Sequence, residues 1–202
     1  MAYDLAIVLP TFNESGNVGP IVDRLEKALR GIRYEVIFVD DDSPDGTADA
    51  VRRLAGHHDN LRVLQRIGRR GLASACIEGI LGAAAPFVAV MDADMQHDEN
   101  VLPEMLRRMR DENLDLVVGS RNIAGGSMGE FSKSRVKLSQ LGRTLSLMGA
   151  EHELSDPMSG FFVVRVTTFE QFAHKLPDGV SGRRAAWQVV IYMHHFVYRP
   201  HA

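Results

Sequence analysis

The 202-residue chain is short of cysteine, net charge and long apolar runs, and each shortage excludes something. Its one cysteine, Cys76, cannot close an internal disulfide. A place among apolar residues at helical spacing marks it as a buried thiol, so a reducing compartment is expected. A formal charge of -3 gives no global attraction to nucleic acid or anionic lipid, so any basic patch must be local. The longest apolar run, Ile80 to Met91, is twelve residues with Gly82 and Pro86 inside it, whereas a bilayer span needs roughly 20. The opening MAYDLAIVLP has neither a basic n-region nor a long apolar stretch, so no export signal is expected. No Gly-x-Gly-x-x-Gly follows the first apolar run, which argues against a nicotinamide or flavin dinucleotide site.

What is present is a repeated alternation. The run Leu5 to Leu9, ended by Pro10, is followed by Val18, Ile21, Val22, Leu25, Ala28 and Leu29 at helical spacing. The unit recurs as YEVIFV (34–39) before Ala48, Val51, Leu54 and Ala55, and as LRVLQ before Leu72, Ala75, Cys76, Gly79 and Ile80. PFVAVM (86–91) leads to Leu102, Met105, Leu106 and Met109, and LDLVVGS (114–120) predicts a fifth strand. Alternating strands and helices predict an α/β domain whose parallel sheet is covered on both faces. After residue 120, GGSMGE precedes an expected basic amphipathic helix over 131–148 with Lys133, Arg135, Lys137 and Arg143. DPMSGFFVVR (156–165) predicts a turn and a sixth strand, with a short helix near Thr167 to His174.

In open sheets of this kind ligands sit beyond the carboxyl ends of the strands. Three loops there stand out, PTFNE (10–14), DDDSPDGT (40–47) and DADMQH (92–97), which bring seven acidic side chains to one rim. Asp92 and Asp94 share a side if the strand continues through them. Like charges that close resist ionisation unless a cation lies between them, and hard oxygen donors suit Mg2+ or Mn2+. Gln96 adds a neutral oxygen. The plainer reading is a turn at Asp94 or Asp98, with Asn100 capping the next helix and Pro103 in its first turn. In DDDSPDGT, Pro44, Asp45 and Gly46 make a turn and Thr47 a cap. That leaves Asp40 and Asp41, whose position in a nucleotide fold commonly bonds ribose hydroxyls or a base edge. One metal-like and one nucleotide-like strand end suggest a nucleoside diphosphate with its phosphates on a cation.

The segments IVLPTFNE, VDDDSPDGT, RRGLASA, MDADMQH, VVGSR and DPMSGFF, in that order over residues 5–165, resemble glycosyltransferase family 2 with the GT-A fold, and within it the dolichol-phosphate mannose synthases. The resemblance implies a Rossmann-like, mostly parallel sheet with helices on both faces, in a domain covering 1–178. It implies that Pro10, Phe12, Glu14, Asp40, Asp41 and Asp92 hold the nucleotide sugar, and that Asp92, Asp94 and Gln96 hold Mg2+ or Mn2+. Arg121 and Arg135 would meet phosphate groups and, with Asp92 and Asp94, form the catalytic set. Asp42 stands where the family usually has Gly or Asn, and Ala73 where it often has Gly, so these loops are expected to be less permissive.

The implied activity is inverting transfer of mannose from GDP-mannose to a polyprenyl or dolichyl phosphate. The implied place is the cytoplasmic face of a membrane, with a separate membrane-anchoring chain among the partners and no nucleic acid. Such an acceptor has a second pKa of about 6, is largely a dianion at neutral pH, and needs no general base. A sugar hydroxyl acceptor would need one, and Asp156 is then the candidate. Another nucleotide sugar, or a remnant that binds a donor without transferring, stays open. A nucleotidyltransferase fits less well, because PTFNES has no basic residue. The resemblance stops near Asp178. Val189 to Met193 form an uncharged run with high strand propensity, so the tail 179–202 is expected to pack poorly, as an aggregation hazard rather than an acceptor lid.

Overall fold

The computed structural model describes residues 2–119 and 160–173. The elements are β1 (Leu5–Thr11), α1 (Val18–Ala28), β2 (Tyr34–Asp40), α2 (Thr47–Ala55), β3 (Leu61–Gln65), α3 (Leu72–Leu81) and β4 (Phe87–Val90). They continue with α4 (Leu102–Asp111), entered through the 3-10 turn Glu99–Val101, then β5 (Leu116–Val118), β6 (Phe162–Arg165) and α5 (Val166–Ala173). Among the described residues the strands form one sheet in the order β3-β2-β1-β4-β6-β5. The first four run parallel, and β6 is antiparallel to both β4 and β5. The expected mostly parallel sheet is therefore present, with one reversed strand inserted near its edge.

Burial explains why the strands read as unbroken apolar runs. Leu5, Ile7 and Leu9 face a core built with Ile21 and Leu25 of α1, Val51 of α2, and Met105 and Met109 of α4. Ala6 and Val8 face the opposite core, with Ala75, Cys76 and Ile80 of α3 and Phe169 of α5. A strand covered on both faces has no solvated side on which to place polar residues. Gly79 sets how closely α3 lies on the sheet. A Cβ there would stand 2.4 Å from Val8 Cγ1 and 3.0 Å from Val39 Cγ2, so only glycine fits at that contact.

Several local expectations shift. β1 does not stop at Pro10 but continues through it, with Pro10 opposite Val39 and Thr11 opposite Asp40. Thr11 O accepts from Asp41 N on the β2 side, so residue 10 faces the β4 side, where pairing is confined to Ala6–Val8. The missing N–H of proline therefore costs no ladder bond. Asp98, not Asn100, provides the side-chain cap before α4, accepting from Asn100 N at 3.1 Å, and Pro103 sits in the first turn of α4 as expected. No described helix is long and apolar enough to cross a membrane. The segment 131–148, Asp156 and the tail 179–202 lie outside the described residues.

Candidate active site

The carboxyl ends of β1, β2 and β4 bring the three acidic loops to one rim. Asp40, the last residue of β2, is fully buried, and both of its oxygens are engaged. Ser43 N donates to Oδ2 at 3.0 Å, Ser43 Oγ donates to Oδ1 at 2.5 Å, and Thr11 Oγ1 donates to Oδ1 at 3.4 Å. Asp41 is held equally firmly. Arg66 Nη1 donates to its Oδ1 at 2.5 Å, and Gly71 N donates to its Oδ2 at 2.6 Å.

Arg66 is only 2% exposed, and a buried guanidinium is tolerable only when its donors are used. Here they are, because Nη1 also reaches Gly71 O at 3.1 Å, Nη2 bonds Ser74 Oγ, and Nε donates to Glu78 Oε1 at 3.2 Å. The sequence reading passed over this arginine. Its partners lie up to 25 positions away, and nothing local to RIGRRG separates a buried arginine from solvated ones.

Asp42 adopts φ +56°, a left-handed conformation that Gly, Asn and Asp enter more readily than other residues. Its carboxylate accepts from Gln65 Nε2 at 3.1 Å and Gly68 N at 3.5 Å, so aspartate serves where the family prefers Gly or Asn. Phe12 projects from the first loop, 43% exposed, with the Arg70 guanidinium 4.4 Å above its ring centroid. Glu14 accepts from Asn17 Nδ2 at 2.5 Å. Pro10 is part-buried beside them in β1.

The third loop departs from the strand expectation. β4 ends at Val90, the chain turns at Ala93 and Asp94, and Met95 has φ +62°, so Asp92 and Asp94 are carried by a turn rather than one strand face. Asp92 is half exposed, and its Oδ2 lies 3.3 Å from Nε2 of the buried His97. Asp94 Oδ1 accepts from Gln96 N at 3.0 Å, and the Gln96 side chain is exposed. Gly160 lies against the same carboxylate, its Cβ position 3.7 Å from Asp92 Oδ2. The DADMQH and DPMSGFF segments thus meet at Asp92. Arg24, on α1, ties down the loop by bonding Glu99 Oε1 at 2.6 Å and Met95 O at 3.5 Å. Sequence reasoning gave no sign of it.

Among the described residues no three His, Cys, Asp or Glu side chains converge into a ready-made cage. Mg2+ seldom needs one, since one or two carboxylates with substrate phosphates and water usually hold it. Asp92 and Asp94 each keep one carboxylate oxygen with no hydrogen-bond partner in the described residues, which fits that mode. Burial, assisted by the Asp92 charge, pushes the Cys76 thiol up to about 12, so it is no nucleophile. Arg121 and Arg135 lie outside the described residues.

Residues 6–172 match the family described as Glycosyl transferase family 2. The chain belongs to that family. Among curated relatives, it is 33% identical over 170 residues to the dolichol-phosphate mannosyltransferase of Pyrococcus furiosus, covering 82% of this chain and 47% of that protein. The proteins of the same name from Mycosarcoma maydis and Saccharomyces cerevisiae are 31% and 33% identical, over 85% and 80% of this chain. The chain spans between 47% and 61% of the length of these three relatives. Among solved structures it resembles a mannosyltransferase of Pyrobaculum calidifontis in complex with GDP-Man and Mn2+, at 22% identity and TM-score 0.58, covering 85% of this chain and 47% of that one. It also resembles the glucosyl-3-phosphoglycerate synthase of Mycobacterium tuberculosis, at 20% identity and TM-score 0.64, covering 96% of this chain and 66% of that one. These likenesses establish the GT-A fold.

Proposed function

We propose that this family 2 domain binds GDP-mannose with Mg2+ or Mn2+ and transfers mannose, with inversion, to a polyprenyl or dolichyl phosphate. The observation that carries the reading is that three relatives from three organisms share the name dolichol-phosphate mannosyltransferase, each matching at least 80% of this chain. The rim supports it. Phe12 offers an exposed aromatic ring for the nucleobase, with the Arg70 guanidinium over one of its faces as a cation for phosphate. Asp40 and Asp41, each held by several bonds, stand where β2 reaches the same rim. Asp92 and Asp94 would hold the cation, with Gln96 as an adjacent oxygen.

A bound cation would neutralise charge on the leaving diphosphate. The acceptor phosphate, already an anion, brings its own nucleophilic oxygen, so the chain's task is alignment and charge shielding. Arg121 and Arg135 are the side chains assigned to the phosphates. Direct displacement at the anomeric carbon inverts it. In this reading the domain works peripherally at the cytoplasmic face of a membrane, beside a separate anchoring chain.

Thermal shift tests the donor. GDP-mannose with Mn2+ at 100 times Kd should add about 2.7 kcal/mol of stability, and chelator should remove the metal-dependent part. The double variant Asp92→Asn, Asp94→Asn should lose that part as well. Stabilisation by UDP-glucose but not GDP-mannose overturns the choice of donor. Donor binding without transfer of labelled mannose to polyprenyl phosphate overturns the choice of acceptor.

A further inference from the structure

The SPDGT segment does more than turn the chain. Gly46 takes φ +82° just before α2, and Asp45 Oδ1 accepts from Thr47 N at 3.0 Å, which accounts for the turn and the helix entry. Three further bonds leave this loop for the first rim loop, about thirty residues away in sequence. Asn13 N donates to Ser43 Oγ, Glu14 N to Thr47 Oγ1 and Ser15 N to Asp45 Oδ2, each at 3.0 Å. Three consecutive backbone N–H groups thus end on three side chains of one neighbouring loop.

Both hydroxyls are oriented from behind by a carboxylate. Ser43 Oγ donates to Asp40 Oδ1 at 2.5 Å while accepting from Asn13, and Thr47 Oγ1 donates to Asp45 Oδ1 at 2.6 Å while accepting from Glu14. A hydroxyl that donates a hydrogen bond to an anion is a better acceptor, so each chain of bonds strengthens itself. Thr47 is fully buried, and Asn13 is held at φ +61°, a conformation that the clamp fixes immediately after Phe12.

We propose that Ser43, Asp45 and Thr47 are positioning residues for donor binding, acting through the 13–15 backbone to fix Phe12 and Glu14 rather than by touching the donor. The proposal rests on the donor-site reading above. It also accounts for the burial of Asp40, which acts through Ser43.

Two measurements on the full chain test it, using Ser43→Ala, Thr47→Val and Thr47→Ser. Without any ligand, hydrogen exchange at the amides of residues 13–15 should quicken roughly tenfold in Ser43→Ala and Thr47→Val and remain slow in Thr47→Ser, which keeps the hydroxyl. With Mn2+, the KM for GDP-mannose should rise roughly tenfold in the first two variants at a nearly constant kcat, and Thr47→Ser should restore it. Unchanged exchange, or a loss confined to kcat, overturns the proposal. If Thr47→Val fails to fold, Ser43→Ala decides alone. If the wild type does not use GDP-mannose, the donor reading has failed instead, and the exchange rates still decide the clamp.

Discussion

His97 Nε2 stands 3.3 Å from Asp92 Oδ2, and the same imidazole lies 5.2 Å, centroid to centroid, from the ring of Phe161. The histidine is 7% exposed at its side chain while the aspartate is 49% exposed, so a buried group orients a solvent-facing one. If Asp92 holds the cation as proposed, a partner of this kind behind the ligand typically contributes 10- to 100-fold in metal affinity. His97→Ala should therefore weaken Mn2+ binding in the presence of GDP by about that factor, read by titration. An unchanged Mn2+ affinity would remove His97 from the site.

Arg66→Met removes the buried charge that pairs with Asp41, and leaves the part-exposed Glu78 to Arg69 alone. Breaking a buried pair from one side costs about 3–5 kcal/mol. In a chain of this size that corresponds to a fall in melting temperature of about 6–20 °C. A denaturation midpoint equal to the wild type would show that the network contributes nothing to the fold.

Gly79→Ala and Gly19→Ala place the same methyl group in opposite surroundings. At Gly79 it meets Val8 Cγ1 at 2.4 Å, and overpacking should cost about 1–3 kcal/mol. At Gly19, on α1, nothing lies within 4 Å, so the change should be neutral or stabilise the helix by up to about 1 kcal/mol. Equal effects in urea unfolding would contradict the close seating of α3.

Burial pushes the Asp45 carboxyl up, but hydrogen bonds from Thr47 and Ser15 outweigh it and hold the group down to about 2. The folded value lies below the ordinary 3.8, so the stability this group contributes is complete above about pH 5 and is lost as pH falls towards 2. Asp45→Asn should flatten that acid limb and leave the profile above pH 5 parallel to the wild type. An acid limb of unchanged steepness would show that Asp45 carries none of it.

The repeating units were legible because each strand or helix declares itself through local periodicity. Val18, Ile21, Val22 and Leu25 mark one face of α1, and the same residues are buried. Pairing partners are another matter. DPMSGFFVVR reads as a strand, yet nothing within it says that it enters antiparallel between β4 and β5. At the rim, residue type was legible and engagement was not. Asp40 and Asp41 read as ligand-facing carboxylates, whereas Ser43, Gly71 and Arg66 occupy their oxygens. The expected shared face of Asp92 and Asp94 assumed that the strand continued, but β4 ends at Val90.

The reversed strand has a consequence for the order in which the molecule can be made. Among the described residues β5 pairs with β6, and β6 alone joins it to β4, with Phe162 opposite both Val90 and Val118. A ribosome that has delivered β5 must still deliver everything up to Arg165 before that strand has the neighbour it pairs with among the described residues. At about 5–20 residues per second, this leaves an interval of seconds. During it the outer edge of β4 stands open beside a finished parallel half, a ready template for another nascent chain. A chain cut before Gly160 makes that interval permanent, and it should be recovered in inclusion bodies rather than in the supernatant.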